Sequence, residues 1–208
     1  MFWSASHPTH TDHHNMHYTI FDTPIIRTLF AWISIVMLKL AGWRLQGKFP
    51  DLPKYVMIAA PHTSNWDFPV TLGLCFASHA KIYWMGKNSL FRGPLGPIMR
   101  WLGGIEVDRS KSNNLVQQIV DVYNRSDRLV VTIPPEGTRS KVRYWKTGFY
   151  HIAVGAQVPI VLAFLDFKEK VGGFGPVFYP TGNVEKDMAE IQAFYKGITG
   201  KNPDYQSE

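Results

Sequence analysis

At 208 residues and 45% hydrophobic content, the chain is long enough to bury the core of one domain, with room for an appendage. A formal net charge of +6 favours an anionic partner, whether nucleic acid, anionic lipid or a phosphorylated metabolite. The single cysteine, Cys75, excludes a disulfide framework and fits a reducing compartment, while 7 Trp, 9 Tyr and 13 Phe suit a protein that meets an interface between water and something apolar.

Residues 1–19 hold His7, His10, His13, His14 and His17 with little apolar content. The spacing suits a transition metal, but the segment has no core to belong to and reads as a disordered tail. Residues 20–45 contain the apolar run Thr28–Leu38, bracketed by Arg27 and Lys39. That run falls short of the roughly 20 apolar residues a spanning helix needs. No small-residue cleavage site accompanies it, so export is not expected. With Trp32 and Trp43 near its ends and cations on its flanks, it reads as an amphipathic helix lying in or dipping into a membrane face. The alternative is a helix packed on the domain's own core.

Residues 46–208 alternate strand and helix signals, which predicts a single α/β domain. Its central sheet is mixed and mostly parallel, flanked by helices, with the membrane-docking helix added at the N-terminal side. Strands are expected at 55–60, 81–85, 104–107, 128–133 and 158–167. Helices are expected at 70–80, 95–101, 113–124, 147–155 and 184–196, with Gly93, Pro94, Gly96 and Pro97 breaking the chain into turns.

Three turns carry side chains suited to chemistry. The first, Pro61-His62-Thr63-Ser64-Asn65-Trp66-Asp67, joins the buried strand that ends at Ala60 to a helix. A histidine whose Nδ1–H is held by a carboxylate presents Nε2 as a base, so His62 and Asp67 form a candidate base and orienting pair. Ser64-x-x-Asp67 is equally a capping-box pattern, and the two roles are compatible. No protein nucleophile stands beside the pair, so the base acts on a hydroxyl that the substrate brings. Ser64 lacks the Gly-x-Ser-x-Gly elbow of a serine hydrolase. His62, Asp67 and His151 lack the short-range spacing of a metal site, so no metal is expected.

The second turn, Gly103 to Arg109, ends a strand with Asp108 and Arg109, and the planar fork of Arg109 suits a phosphate. A surface Asp–Arg pair explains it equally well. In the third, Pro134 and Pro135 end a strand, Gly137 permits a tight turn, and Glu136, Thr138 and Arg139 project from it. Lys141, Arg143 and Lys146 follow, interleaved with Tyr144 and Trp145. Aromatic residues among cations suit a surface touching phosphate and lipid together. Single-stranded nucleic acid uses the same ingredients, but no nucleic-acid module accompanies them, and no nucleic-acid partner is expected.

The order His62-x4-Asp67, Gly103-x5-Arg109, Pro135-Glu136-Gly137-Thr138-Arg139-Ser140 and Val158-Pro159-Ile160-Val161 resembles the glycerolipid acyltransferase family typified by 1-acylglycerol-3-phosphate acyltransferases. The resemblance covers roughly residues 56 to 166. It implies acyl transfer from acyl-CoA or acyl-carrier protein to a lysophospholipid, with lysophosphatidate the expected acceptor and no cofactor. It implies His62 as general base, Asp67 as its partner, and Arg109, Glu136, Gly137, Thr138 and Arg139 as binders of the acceptor's phosphate end. Departures from the family pattern fall at Pro61, Glu106, Pro134 and Leu162, and none removes a proposed catalytic group. A lyso-aminolipid, a glycolipid or glycerol 3-phosphate is the alternative acceptor, and a lipid-binding protein without catalysis is the alternative class. The expected location is the cytoplasmic face of a membrane, as a peripheral or monotopic protein.

Overall fold

The computed structural model of the chain describes residues 16–108 and 115–207. Seven strands form one sheet: β1 (Arg44–Gln46), β2 (Lys54–Ala60), β3 (Tyr83–Lys87), β4 (Gly104–Val107), β5 (Leu129–Ile133), β6 (Ile160–Asp166) and β7 (Val171–Phe178). Their order across the sheet is β1-β7-β6-β2-β5-β3-β4. All neighbouring strands run parallel except β6 and β7. The helices are α1 (Pro24–Leu40), α2 (Asp67–Ala77), α3 (Gly96–Trp101), α4 (Leu115–Arg125), α5 (Gly148–Gly155) and α6 (Val184–Phe194). This is the expected fold class, a mixed, mostly parallel sheet flanked by helices.

The sheet is covered on both faces, and the strands show it by their period of two. Along β2, Val56, Ile58 and Ala60 enter one buried cluster with residues of α4, α5 and α6. Tyr55 and Met57 enter the other, with Cys75 and Phe76 of α2. β5 repeats the pattern, with Leu129, Val131 and Ile133 on the first face and Val130 on the second. On the first face, Asp187 of α6 accepts the hydroxyl of Tyr150 in α5 at 2.7 Å, locking the two helices together.

Five strands fall where the sequence places them, and β1 and β7 do not. β7 reads Val-Gly-Gly-Phe-Gly-Pro-Val-Phe, a composition that signals a turn. Its glycines instead permit close approach. A Cβ at Gly173 would overlap the carbonyl of Gln46 in β1, and one at Gly175 would meet the ring of Phe194. The antiparallel return from β6 is fixed by Asp166, whose carboxylate accepts the N–H groups of Lys168 and Glu169 in the connecting turn.

Residues 1–15 of the expected tail lie outside the described residues. Met16, His17 and Thr19 pack on the domain, while Tyr18 stays exposed. His17 Nε2 is 2.7 Å from the Arg100 carbonyl and its ring meets Tyr83 edge-on. Thr19 donates its N–H and hydroxyl to Asp22, which in turn receives Lys81 at 2.7 Å. Pairing with residues far along the chain, invisible locally, orders this segment.

α1 packs on the domain along one face and leaves an apolar stripe exposed on the other. Ala31 is buried, Phe30 stacks on Phe76 of α2 at 5.3 Å, and Leu38 lies against Gly73 of α2. Ile25, Leu29, Trp32, Ile33, Val36, Met37 and Leu40 recur at helical spacing and stay exposed. No helix among the described residues is long and apolar enough to cross a membrane.

Candidate active site

β2 and β5 are parallel neighbours in which Ile58 lies opposite Ile133. The segments that follow them, 61–67 and 134–140, therefore leave the same edge of the sheet side by side. This is the carboxyl edge of a parallel sheet, where strands hold the backbone and loops are free to face a ligand.

His62 Nδ1 lies 3.0 Å from Asp67 Oδ2. A carboxylate only accepts, so Nδ1 carries the proton and Nε2 is left as the basic nitrogen. The ring is 21% exposed, while Asp67 is 5% exposed at the first position of α2, where the helix dipole favours its charge. The same Oδ2 accepts the backbone N–H of Thr63 at 2.8 Å and of Ser64 at 2.9 Å.

The capping and base readings thus meet in one oxygen. Asp67 reaches back to the Ser64 N–H, as the acidic member of a capping box does. Ser64 does not complete the box: its hydroxyl accepts from Trp66 N at 3.2 Å, and the Asp67 N–H goes to the Ser64 carbonyl. With its hydroxyl so engaged and the residue buried, Ser64 is poorly placed as a nucleophile. The corner offers few donors to an oxyanion or phosphate, because the N–H groups of Thr63, Ser64, Trp66 and Asp67 are all taken within the protein.

Glu136 supports this loop from the second turn. It is 3% exposed, and its Oε1 accepts the backbone N–H of His62 at 3.0 Å. Burial raises its carboxyl above the ordinary glutamate value, and nearby Asp67 adds to the rise, while the His62 N–H partly offsets it. A raised acid binds its proton more tightly folded than unfolded. Its contribution to stability is therefore present in acid and lost as pH rises through the raised value. Glu136→Gln removes the ionisation. Its melting temperature relative to wild type is expected to rise by about 2–4 °C between about pH 4 and pH 8, read by scanning calorimetry. A difference that stays flat with pH would show that burial of Glu136 carries no such penalty.

Gly137 sits at φ 66°, the left-handed region its turn requires. A Cβ there would come within 2.9 Å of Lys146 Nζ, so an ammonium lies directly against this turn. Thr138 and Arg139 are exposed just beyond, with Thr138 Oγ1 accepting the Ser140 N–H at 3.3 Å. The structure therefore brings His62, Asp67 and Glu136 into one hydrogen-bonded cluster and sets Gly137, Thr138 and Arg139 at its rim. Arg109 lies outside the described residues. The strand before it, β4, is separated from β2 by β5 and β3, about 14–15 Å at the usual strand spacing. Glu106 on β4 is paired with Arg100 at 3.0 Å.

Two contributions escaped the sequence reading. Tyr195, just past α6, packs its ring on Trp145 and donates its hydroxyl to the Ala163 carbonyl at 3.0 Å, bracing the floor beneath the turns. Asn202 grips Thr63 by two hydrogen bonds. These partners lie 139 positions apart in the chain, and no local pattern announces such a contact.

A family model described as Acyltransferase matches residues 45–163, more than half of the chain. A 1-acyl-sn-glycerol-3-phosphate acyltransferase of Haemophilus influenzae is 32% identical over 132 residues, which are 59% of this chain and 53% of that protein. The enzyme of the same name from Escherichia coli is 32% identical over 108 residues, 49% of this chain and 43% of its own length. A human 1-acyl-sn-glycerol-3-phosphate acyltransferase beta is 42% identical over 81 residues, 36% of this chain and 29% of that protein. The chain thus spans about half the length of the bacterial relatives. The crystal structure of a 1-acyl-sn-glycerophosphate (LPA) acyltransferase from Thermotoga maritima superposes with a TM-score of 0.60 over 83% of this chain and 78% of that one, at 16% identity, so the two share a fold.

Proposed function

The chain belongs to the acyltransferase family, and on that premise we propose that it moves a fatty acyl group from an acyl thioester to the free hydroxyl of lysophosphatidate, forming phosphatidate. The observation that carries this reading is the His62–Asp67 contact, which directs Nδ1 to the carboxylate and leaves Nε2 as the nitrogen able to act on a substrate at the sheet edge. In the proposed reaction Nε2 takes the proton from the acceptor hydroxyl as its oxygen attacks the thioester carbonyl. The tetrahedral intermediate then collapses, the carbon–sulfur bond breaks, and the departing thiolate takes the proton back from the imidazolium. Asp67 stabilises that imidazolium, and Glu136 and Asp67 together hold the loop so that the ring is aimed before substrate arrives.

The donor is acyl-CoA or acyl-carrier protein, whose thioester chemistry is the same. The names of the relatives support lysophosphatidate as the acceptor. Lys146, whose ammonium lies against the Gly137 turn, and exposed Arg139 two residues on support a phosphate site there. The test is transfer from a labelled long-chain acyl-CoA, and in parallel from acyl-carrier protein, to a panel of lysolipids and glycerol 3-phosphate. Consumption of donor only when lysophosphatidate is present supports the proposal. Transfer to another acceptor alone would reassign the substrate, and thioester hydrolysis indifferent to every acceptor would remove the reaction class.

The exposed apolar stripe of α1 supports attachment to a membrane surface, at the cytoplasmic leaflet where anionic lipid meets a net charge of +6. Replacing Ile33, Val36 and Met37 by Ser is expected to reduce sedimentation with anionic vesicles by about tenfold, since three apolar side chains leave the interface. All three are exposed, so the melting temperature should hold. Undiminished sedimentation would show that α1 is not the anchor.

A further inference from the structure

The segment that follows α6 folds back across the sheet edge and touches the loop that holds His62. Its course is fixed at several points. Phe167, just past β6, donates its N–H to the Thr199 carbonyl at 2.8 Å. Gln206 closes the segment on itself, accepting the Gly200 N–H at 2.9 Å and donating to the Ile198 carbonyl at 2.7 Å. Ser207 Oγ accepts the Val142 N–H at 3.1 Å, which ties the segment to the chain beyond the Glu136 turn. Between these anchors, Asn202 Nδ2 donates to the Thr63 carbonyl at 2.9 Å, and the Asn202 N–H donates to Thr63 Oγ1 at 3.1 Å.

Thr63 is the residue between His62 and Ser64, and its own N–H is spent on Asp67. The peptide units on either side of it are therefore held by different parts of the protein. Glu136 takes the His62 N–H, Asp67 takes the Thr63 N–H, and Asn202 takes the Thr63 carbonyl and hydroxyl. Gly200 makes the approach possible: a Cβ there would stand 2.7 Å from Thr63 Oγ1 and 2.9 Å from its methyl carbon. The close fit and the paired hydrogen bonds are independent observations of the same contact. Gly200 and Asn202 lie outside residues 45–163, the span that the family model matches, while Thr63 lies within it.

We propose that Asn202 is a positioning residue for the base, and that the 199–207 segment is a strap which fixes the direction of the His62 ring through Thr63. The proposal rests on the reading of His62 as general base. The side chain of Asn202 donates where an aspartate cannot, so the strap acts through a specific hydrogen bond and not through bulk alone. A base held about 1 Å from its productive place loses rate without losing substrate affinity.

The test compares wild type with Asn202→Ala and Asn202→Asp, each in the full chain. Expected is a fall in kcat of about tenfold in both, with KM for acceptor and donor within about twofold. In a His62→Ala background the same substitutions should lower the residual rate no further, because groups acting as a unit are not additive. Asn202→Asp retaining the wild-type kcat would overturn the proposal, as would an equal loss with and without His62. A second readout needs no activity. The His62 Nδ1–H resonance, observed by proton NMR, should exchange with water about tenfold faster in Asn202→Asp than in wild type as its bond to Asp67 loosens. Unchanged exchange would overturn the proposal even if no acceptor is ever found. Should wild type transfer acyl groups to nothing in the panel, the functional reading fails and this resonance alone decides the role of the strap.

Discussion

Replacing His62 by alanine is expected to lower acyl transfer by about 10²–10⁴-fold, with the protein still folded and still bound to vesicles. The imidazole is the most exposed titratable group in the described cluster, so it is the one that an acceptor hydroxyl can reach. Asp67 is buried and spends one oxygen on three N–H groups, and Glu136 spends one on the backbone of His62. The second oxygen of each carboxylate has no hydrogen-bond partner but is buried, out of reach of a substrate hydroxyl. The loss should appear in kcat, since the ring is proposed to act on the proton in flight and not to bind the acceptor. A variant that keeps even a tenth of wild-type kcat would remove His62 from the chemistry.

Asp67 predicts the second large effect, and with an order that its hydrogen bonds dictate. In Asp67→Asn the amide oxygen takes the place of Oδ2, because the N–H groups of Thr63 and Ser64 can be satisfied only by an acceptor. The same oxygen then still receives His62 Nδ1–H, so the tautomer survives and what is lost is the negative charge that stabilises imidazolium. A loss of about 10²-fold follows, smaller than the roughly 10⁴-fold seen where the amide reverses the tautomer. Asp67→Ala leaves two buried N–H groups and the imidazole N–H without an acceptor. The expected loss is about 10³-fold or more, with a fall in melting temperature of about 4–8 °C for roughly 2 kcal/mol of lost hydrogen bonding. Combined with His62→Ala, either variant should cost little further activity. If the asparagine variant proved worse than the alanine one, the orientation of the carboxylate described above would be wrong. Measuring kcat and melting temperature on the same preparations checks both halves.

What could be read from the chain before its structure was known depended on how local the cause was. β2 and β5 are legible because a short, nearly continuous apolar run marks a strand buried on both faces, and Pro61 and Pro134–Pro135 mark where they stop. His62 and Asp67 were legible because five positions across a strand-to-helix corner suffice to bring them together. β7 was not, because its glycines answer to Gln46 and Phe194, which meet it only in the folded sheet. Glu136 was found as a member of a motif, but its burial and its bond to the His62 backbone follow from the register of Ile58 against Ile133, a fact of pairing between strands. Asn202 shows the same limit more sharply: an exposed asparagine in a polar stretch has no sequence feature that distinguishes it. α1 was readable as apolar and basic-flanked, but which residues face α2 and which face outward was decided by Phe30, Leu38 and their partners in α2.

The seating of α1 on α2 bears on how the proposed substrate would be met. α2 begins at Asp67, so the helix proposed to rest in lipid lies directly against the helix whose first residue orients the base. On the proposal that α1 rests in one leaflet and the acceptor is a lysolipid, that acceptor would arrive by diffusing sideways, with no need to escape into water. Turnover on bilayers then follows the surface mole fraction of acceptor, not its bulk molarity, so diluting it with inert lipid slows the enzyme while adding buffer does not.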